Sequence, residues 1–228
     1  VEKALAIGVL EDQLKLRHAE LKIAAANVGS LGGLLALQRG ETHIAGTHLL
    51  DPASGVYNIP DIQRAIPKVP LVLVHLAQRE QGIIVRHGNP KALRSLQDLA
   101  RNDIRFVNRQ PGSGTRVLLD YQLKELDIEG AAIAGYEREE FTHMAVGVAV
   151  ASGLADAGLG VRAAAKALAL DFIPVADEQY DLLIERRFFE SPRGELLLAT
   201  ICSDGFKGAV RALGGYDTTN AGAVLYRQ

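Results

Sequence analysis

The stretch Asn108-Arg109-Gln110-Pro111-Gly112-Ser113-Gly114-Thr115-Arg116 limits the fold more than any other part of the chain. Before it, Ile104-Arg105-Phe106-Val107 is short, alternating and β-branched, the pattern of a strand. After it, Val117, Leu118, Tyr121, Leu123 and Leu126 recur at helical spacing. The motif is therefore a strand-to-helix turn. Pro111 fixes one backbone angle, and Gly112 and Gly114 permit angles that other residues avoid. Ser113 or Thr115 can cap the helix. A helix start of this kind gathers N–H groups, two hydroxyls and the Arg116 guanidinium, a set that suits an anion. The plainer alternative is a capped helix with a solvated Arg116.

The same pattern recurs along the chain. An apolar stripe (Ala4, Leu5, Ile7, Leu10, Leu14, Leu16) predicts a first helix over residues 2–18, and the apolar run 21–26 reads as a strand. Asn27-Val28-Gly29-Ser30-Leu31-Gly32-Gly33 is again a strand-to-helix turn, followed by a helix over 31–39 that Gly40 ends. Residues 43–48 and 69–76 read as strands, 83–85 as another, and 96–99 as a short helix. Thr142-His143 opens a third short helix, and 155–160 reads as a strand or its end. Helix over 163–170, extended chain over 172–176, strand over 180–184 and helices over 192–200 and 204–213 complete the reading. Alternating strands and helices give an α/β class with mostly parallel sheets. Ligands of such sheets sit at the carboxyl ends of strands. Ser30, Thr47, Ser113, Thr115 and Thr142 all fall there or at the helix starts that follow.

Charge excludes some classes. The chain has 228 residues, with 25 Lys and Arg against 27 Asp and Glu, so a basic nucleic-acid-binding surface over the whole chain is not expected. Cys202 is the only cysteine, which leaves no intrachain disulfide and no cysteine-based metal site. No apolar run has transmembrane length, and the reading is of a cytoplasmic domain with no membrane contact.

Each candidate residue has two readings. Ser30 is an N-cap, or a hydroxyl donor to an anion beside the backbone N–H groups of Leu31 and Gly32. Thr47 and His48 end a strand, where a histidine is structural or ligand-facing. His43 and His48 lack a third ligand, so no metal site is expected. Thr142 caps a helix or donates to a ligand. At His143 the helix dipole disfavours the imidazolium, which argues for a neutral donor. Arg109 and Arg116 are surface cations or bidentate partners of an oxyanion, Arg116 being the favoured one. Asp51 and Asp156 read as turn and cap residues, and Glu137, Glu139 and Glu140 as a solvated charge run. No Ser-His-Asp or paired-carboxylate spacing stands out, so no catalytic residue and no enzyme is expected.

Several pieces together resemble a known family. They are Gly29-Ser30-Leu31-Gly32-Gly33-Leu34, Ala45-Gly46-Thr47-His48-Leu49-Leu50-Asp51-Pro52, Tyr57-Asn58, Arg79-Glu80-Gln81-Gly82 and Gly88-Asn89-Pro90. Asn108-Arg109-Gln110, Gly112 to Asp120, Gly135-Tyr136-Glu137-Arg138-Glu139, Thr142-His143 and Ala155-Asp156-Ala157-Gly158-Leu159-Gly160 complete them. They look like the periplasmic-binding-protein-like (type II) domain related to molybdate-binding proteins, as fused to helix-turn-helix regulators or molybdopterin-synthesis proteins. The glycine turn is also similar to effector domains of LysR-type regulators and to phosphate-binding proteins. The resemblance implies a two-lobed fold, with residues 1–77 and 180–228 in lobe one, 78–179 in lobe two, and crossings near 77–82 and 174–180. It implies a small oxyanion, molybdate or tungstate first, in the inter-lobe cleft, with no further cofactor. The alternatives are an effector domain for an organic metabolite and a module of molybdenum-cofactor synthesis. A fused or associated DNA-binding or cofactor-synthesis domain and a homodimer are the partners compatible with it. The family's first strand should precede the first helix, whereas this sequence opens at Val1-Glu2-Lys3. Residues upstream of Val1 are expected to supply that strand.

Overall fold

The computed structural model describes residues 5–26 and 28–228. It divides into two compact units: unit 1 runs to Gln78 and resumes at Gln179, and unit 2 is Arg79–Glu178.

Unit 1 contains α1 (Leu5–Arg17), α2 (Gly29–Gln38), β1 (Ile44–Thr47), α3 (Ile59–Ala65) and the first part of β2 (Leu71–Val85). The last part of β6 (Asp171–Glu185), α7 (Arg186–Phe189), α8 (Pro192–Cys202), α9 (Asp204–Leu213), β7 (Tyr216–Asp217) and β8 (Val224–Arg227) complete it. The α1 stripe buries Ala6, Ile7, Leu10 and Leu14, and the helix packs on α8 and α9. The expected start of this helix at residue 2 lies outside the described residues. The core of the unit joins Leu34 and Leu37 of α2 to Ala45, Ile62, Leu73 and Leu183. Each such leucine or isoleucine contributes roughly 1.5–3 kcal/mol on burial. Gly33 permits the contact of α2 with β1, because a Cβ there would lie 2.9 Å from the Cβ of Ala45. β1 pairs antiparallel with β6 (Ile44↔Ile184 to Thr47↔Asp181), and β8 pairs antiparallel with β2.

Residues 21–26 do not form the expected strand. They belong to no ladder, and Lys22, Ala24, Ala25 and Ala26 are exposed. An alanine run has low β-propensity and little area to bury, so its apolar reading overstated the drive to pair. It does not pair with β1, whose described partner is β6.

Unit 2 contains the rest of β2, a 3₁₀ turn over Leu96–Ala100, β3 (Phe106–Arg109) and α4 (Gly114–Glu125). β4 (Glu139–Glu140), α5 (His143–Ala151), β5 (Ala157–Val161), α6 (Arg162–Ala167) and the first part of β6 follow. β5 pairs antiparallel with β2 (Gln81↔Val161 to Val85↔Ala157) and parallel with β3, which is also parallel to β4. The core gathers Ile83, Val85, Leu99, Phe106, Leu119 and Leu159.

The fold is α/β, of the two-lobed type II binding-protein kind. Its sheets are mixed rather than mostly parallel. The described parallel pairs join β3 to β4 and to β5, strands each followed by a helix. β2 meets β5 and β8 antiparallel. The polar run Gln78-Arg79-Glu80-Gln81 does not interrupt β2, nor does Ala176-Asp177-Glu178-Gln179 interrupt β6. Arg79 Nε and Gln81 Nε2 hydrogen-bond Glu178 within unit 2, so a buried carboxylate takes these donors without the chain leaving the strand. Among the described residues no helix is long and apolar enough to cross a membrane, and no group of His, Cys, Asp or Glu could hold a metal ion.

Candidate functional site

In unit 2 the pairs Asn108↔Glu139 and Arg109↔Glu140 bring the carboxyl ends of β3 and β4 side by side. Neighbouring strands lie about 4.8 Å apart, so α4 and α5 start next to each other. The turn into α4 needs Gly112, whose φ is 78°, in the left-handed region. Ser113 is the N-cap of α4, with φ −76° and ψ 142°, and its Oγ accepts the Arg116 N–H at 3.2 Å. Thr142 is the N-cap of α5, and its Oγ1 accepts the Ala145 N–H at 3.0 Å. Thr115 is the second residue of α4 rather than its cap, and its Oγ1 accepts from Gln81 Nε2 at 3.0 Å. The first N–H groups of a helix have no partner within it. These starts therefore offer backbone N–H groups at Gly114 and Thr115 beside hydroxyls that act as acceptors toward the protein. Among the described residues no acceptor takes the hydroxyl protons of Ser113, Thr115 or Thr142. All three oxygens keep a proton to donate.

Arg109 and His143 join the two starts. Arg109 is 1% exposed, and it donates from Nε to the Glu140 carbonyl at 3.2 Å and from Nη2 to the Phe141 carbonyl at 3.1 Å. Its Nη1 lies 3.1 Å from His143 Nδ1. A guanidinium has no acceptor, so Nδ1 holds a lone pair and the imidazole proton sits on Nε2. Arg116, the favoured cation of the sequence reading, lies on protein partners, its Nη1 donating to the Arg109 carbonyl at 3.3 Å. Its Nε donates to both oxygens of Asp120 at 3.1 Å, its Nη1 lies 3.5 Å from Glu139 Oε1, and it stacks 4.2 Å from the Tyr136 ring centroid. An i,i+4 carboxylate and an aromatic face outcompete a position over the helix start.

Behind Thr115 lies a buried polar chain. Arg79 Nε donates to Glu178 Oε2 at 2.5 Å, and Gln81 Nε2 donates to the same oxygen at 2.9 Å. Arg79, Gln81 and Glu178 are each 1% exposed or less. At the rear of the unit Asp156 accepts from Arg105 N and Nε at 3.0 Å and from Nη2 at 3.1 Å. The Arg105 guanidinium holds its carboxyl below the usual carboxylate value.

Unit 1 carries a second set. Ser30 lies inside α2, not at its cap, which is Val28 without a side-chain bond. Its Oγ instead accepts the His48 N–H at 3.3 Å and ties the end of β1 to the helix. Leu31 is exposed on the first turn of α2. Thr47 differs from the other hydroxyls, because its Oγ1 donates to Asn58 Oδ1 at 2.9 Å. Asn58 is buried with φ 63°, also accepts the Leu49 N–H at 2.8 Å, and donates to Asp181 Oδ2 at 2.7 Å. The other Asp181 oxygen is 2.8 Å from His75 Nδ1. His48 is 4% exposed, with its ring edge-on to Tyr180 at 5.7 Å between centroids. Asp51 closes its turn on Ser54 Oγ at 2.6 Å, as a turn residue does.

The sequence reading named Gln81 and Asn58 only as parts of family motifs, gave them no role, and did not single out Glu178 or Asp181. A signal was available for one of them. Arg79 and Gln81 stand two apart in a strand of apolar residues, so they share a face and must share a buried partner.

Residues 11–202 match the family model of the PBP superfamily domain. The chain belongs to the PBP superfamily. It is 38% identical over 200 residues to uncharacterized protein YvgK of Bacillus subtilis (strain 168), an alignment covering 86% of this chain. The matched part is 63% of that relative's length. Among solved structures this PBP-superfamily domain is similar to a candidate phosphate ABC transporter substrate-binding protein with bound phosphate from Clostridium perfringens. The TM-score is 0.66 at 12% identity, covering 93% of this chain and 94% of that one. It is similar to the substrate-binding domain of a candidate molybdenum ABC transporter from Clostridium difficile, with TM-score 0.60 at 12% identity and 95% of each chain covered. It is also similar to the effector-binding domain of QuiR in complex with shikimate, with TM-score 0.61 at 17% identity, covering 86% and 87%. These likenesses establish the fold; the three solved neighbours named are substrate-binding proteins and an effector-binding domain.

Proposed function

We propose that this domain binds a small tetrahedral oxyanion, molybdate or tungstate first, by capture without chemistry. The observation that carries the reading is the donor set of unit 2. Ser113, Thr115 and Thr142 each accept a bond from the protein and keep a hydroxyl proton, beside two adjacent helix starts. Hydroxyl and N–H donors replace the water shell of an anion and need no lysine or arginine of their own. In this reading His143, with its proton on Nε2, adds a neutral donor. Arg109 positions that ring and the α5 start, and Arg116 braces α4. Within unit 1, Ser30 keeps an uncommitted hydroxyl proton, whereas Thr47 holds Asn58. The phosphate and molybdenum transporter proteins among the structural neighbours support an oxyanion.

A second reading is an effector-binding domain of a LysR-like regulator for a small organic metabolite, favoured by the likeness to the shikimate-bound QuiR domain. Since the chain covers 63% of YvgK, a further domain with a DNA-binding or cofactor-synthesis role fits either reading. The discriminating experiment is a thermal melt with each ligand class, because a ligand that binds only the folded state raises Tm. The oxyanion reading expects a rise with molybdate or tungstate. No shift at millimolar anion together with a clear rise from shikimate would replace it with the second reading.

A further inference from the structure

Resting on the oxyanion reading, we infer that Gln81 is a positioning residue that fixes the Thr115 hydroxyl as a donor to the ligand. Gln81 is fully buried, and its Nε2 gives one proton to Glu178 Oε2 at 2.9 Å and the other to Thr115 Oγ1 at 3.0 Å. The reverse amide orientation would place Oε1 against the Glu178 carboxylate, two acceptors with no proton between them. Glu178 is in turn paired with the Arg79 guanidinium at 2.5 Å, which balances its charge in a buried place. The direction of each bond therefore follows from its neighbour: guanidinium to carboxylate, amide to carboxylate, amide to hydroxyl. At the end of this chain Thr115 Oγ1 is an acceptor toward Gln81, so its single proton points away from Gln81. Thr115 sits in the first turn of α4, whose N–H groups favour an anion. It can give that proton to the ligand. A ligand oxygen that carries no proton, as in molybdate, tungstate or sulfate, suits it.

Two measurements on the full chain test this. The first needs no ligand: the side-chain amide protons of Gln81 are followed by NMR in the parent and in Thr115→Val. Both protons are expected to exchange slowly in the parent, and one of the two resonances to move in the variant. If neither moves, the orientation argument is overturned. The second is a cycle of molybdate affinities over the parent, Gln81→Met, Thr115→Val and the double variant. Thr115→Val is expected to weaken binding about tenfold or more. Gln81→Met should weaken it in the parent background but by less than about twofold once Thr115 is Val, because the loss runs through that hydroxyl. Equal losses in both backgrounds would mean a merely structural glutamine and overturn the inference. A parent that binds no oxyanion overturns the functional reading, and the amide measurement then still decides the direction of the Thr115 bond.

Discussion

Breaking the Arg79–Glu178 pair should be among the costliest changes in unit 2. Both side chains are 1% exposed, and Glu178 Oε2 also receives Gln81. Glu178→Ala leaves the Arg79 guanidinium without its 2.5 Å carboxylate and removes the acceptor of one Gln81 amide proton. Loss of one partner of a buried pair costs about 3–5 kcal/mol. For a chain of this size each kcal/mol moves Tm by roughly 2–4 °C, so the melt should fall by about 6–20 °C. Replacing both charges with apolar residues, Arg79→Met with Glu178→Leu, removes the uncompensated ion. That double variant should recover most of the loss, since buried pairs are near break-even against well-packed apolar groups. Urea unfolding of parent, single and double variants measures it. A single variant within about 1 kcal/mol of the parent would refute the reasoning. So would a double variant that is worse than the single one.

Two further outcomes follow from geometry already described. Asp156→Asn should destabilise the domain by about 1–3 kcal/mol at neutral pH, through weaker bonds to Arg105. Because the folded carboxyl titrates below its unfolded value of about 3.9, the Asp156 contribution is present above that value and is lost as pH falls through the folded pKa. The gap between the two proteins should therefore close below about pH 4 in pH-dependent urea unfolding. Arg116→Lys should lower Tm by a few degrees through loss of the Asp120 and Tyr136 contacts, yet leave molybdate affinity within about twofold. A large affinity loss without a stability change would return Arg116 to the ligand.

Much of this was legible in the sequence because it is local. The turn at Pro111-Gly112-Ser113, the Ser113 and Thr142 caps, and the helices read at 192–200 and 204–213 depend on spacing and cap chemistry within a few residues. What was less legible depends on distant partners. The apolar run 21–26 read as a strand, but pairing needs a neighbour and area to bury, and three of its residues are alanines. Ser30 read as a cap or an anion donor, and its oxygen accepts from His48, 18 positions away, rather than capping α2. The protein partners of Arg116, Asp120 and Tyr136, become its neighbours only when α4 forms and residue 136 returns to it. The length of β2 and β6 was hidden by polar residues whose buried partners lie about a hundred positions apart.

The central claim is that the hydroxyl and N–H donors of unit 2 bind a small oxyanion. Calorimetric titration of the chain with molybdate, tungstate, sulfate and phosphate, repeated on Thr115→Val, tests it most directly. The account predicts saturable binding of molybdate or tungstate, weakened about tenfold or more when the hydroxyl is removed. Absence of heat from all four anions, or equal affinity of parent and variant, would contradict it.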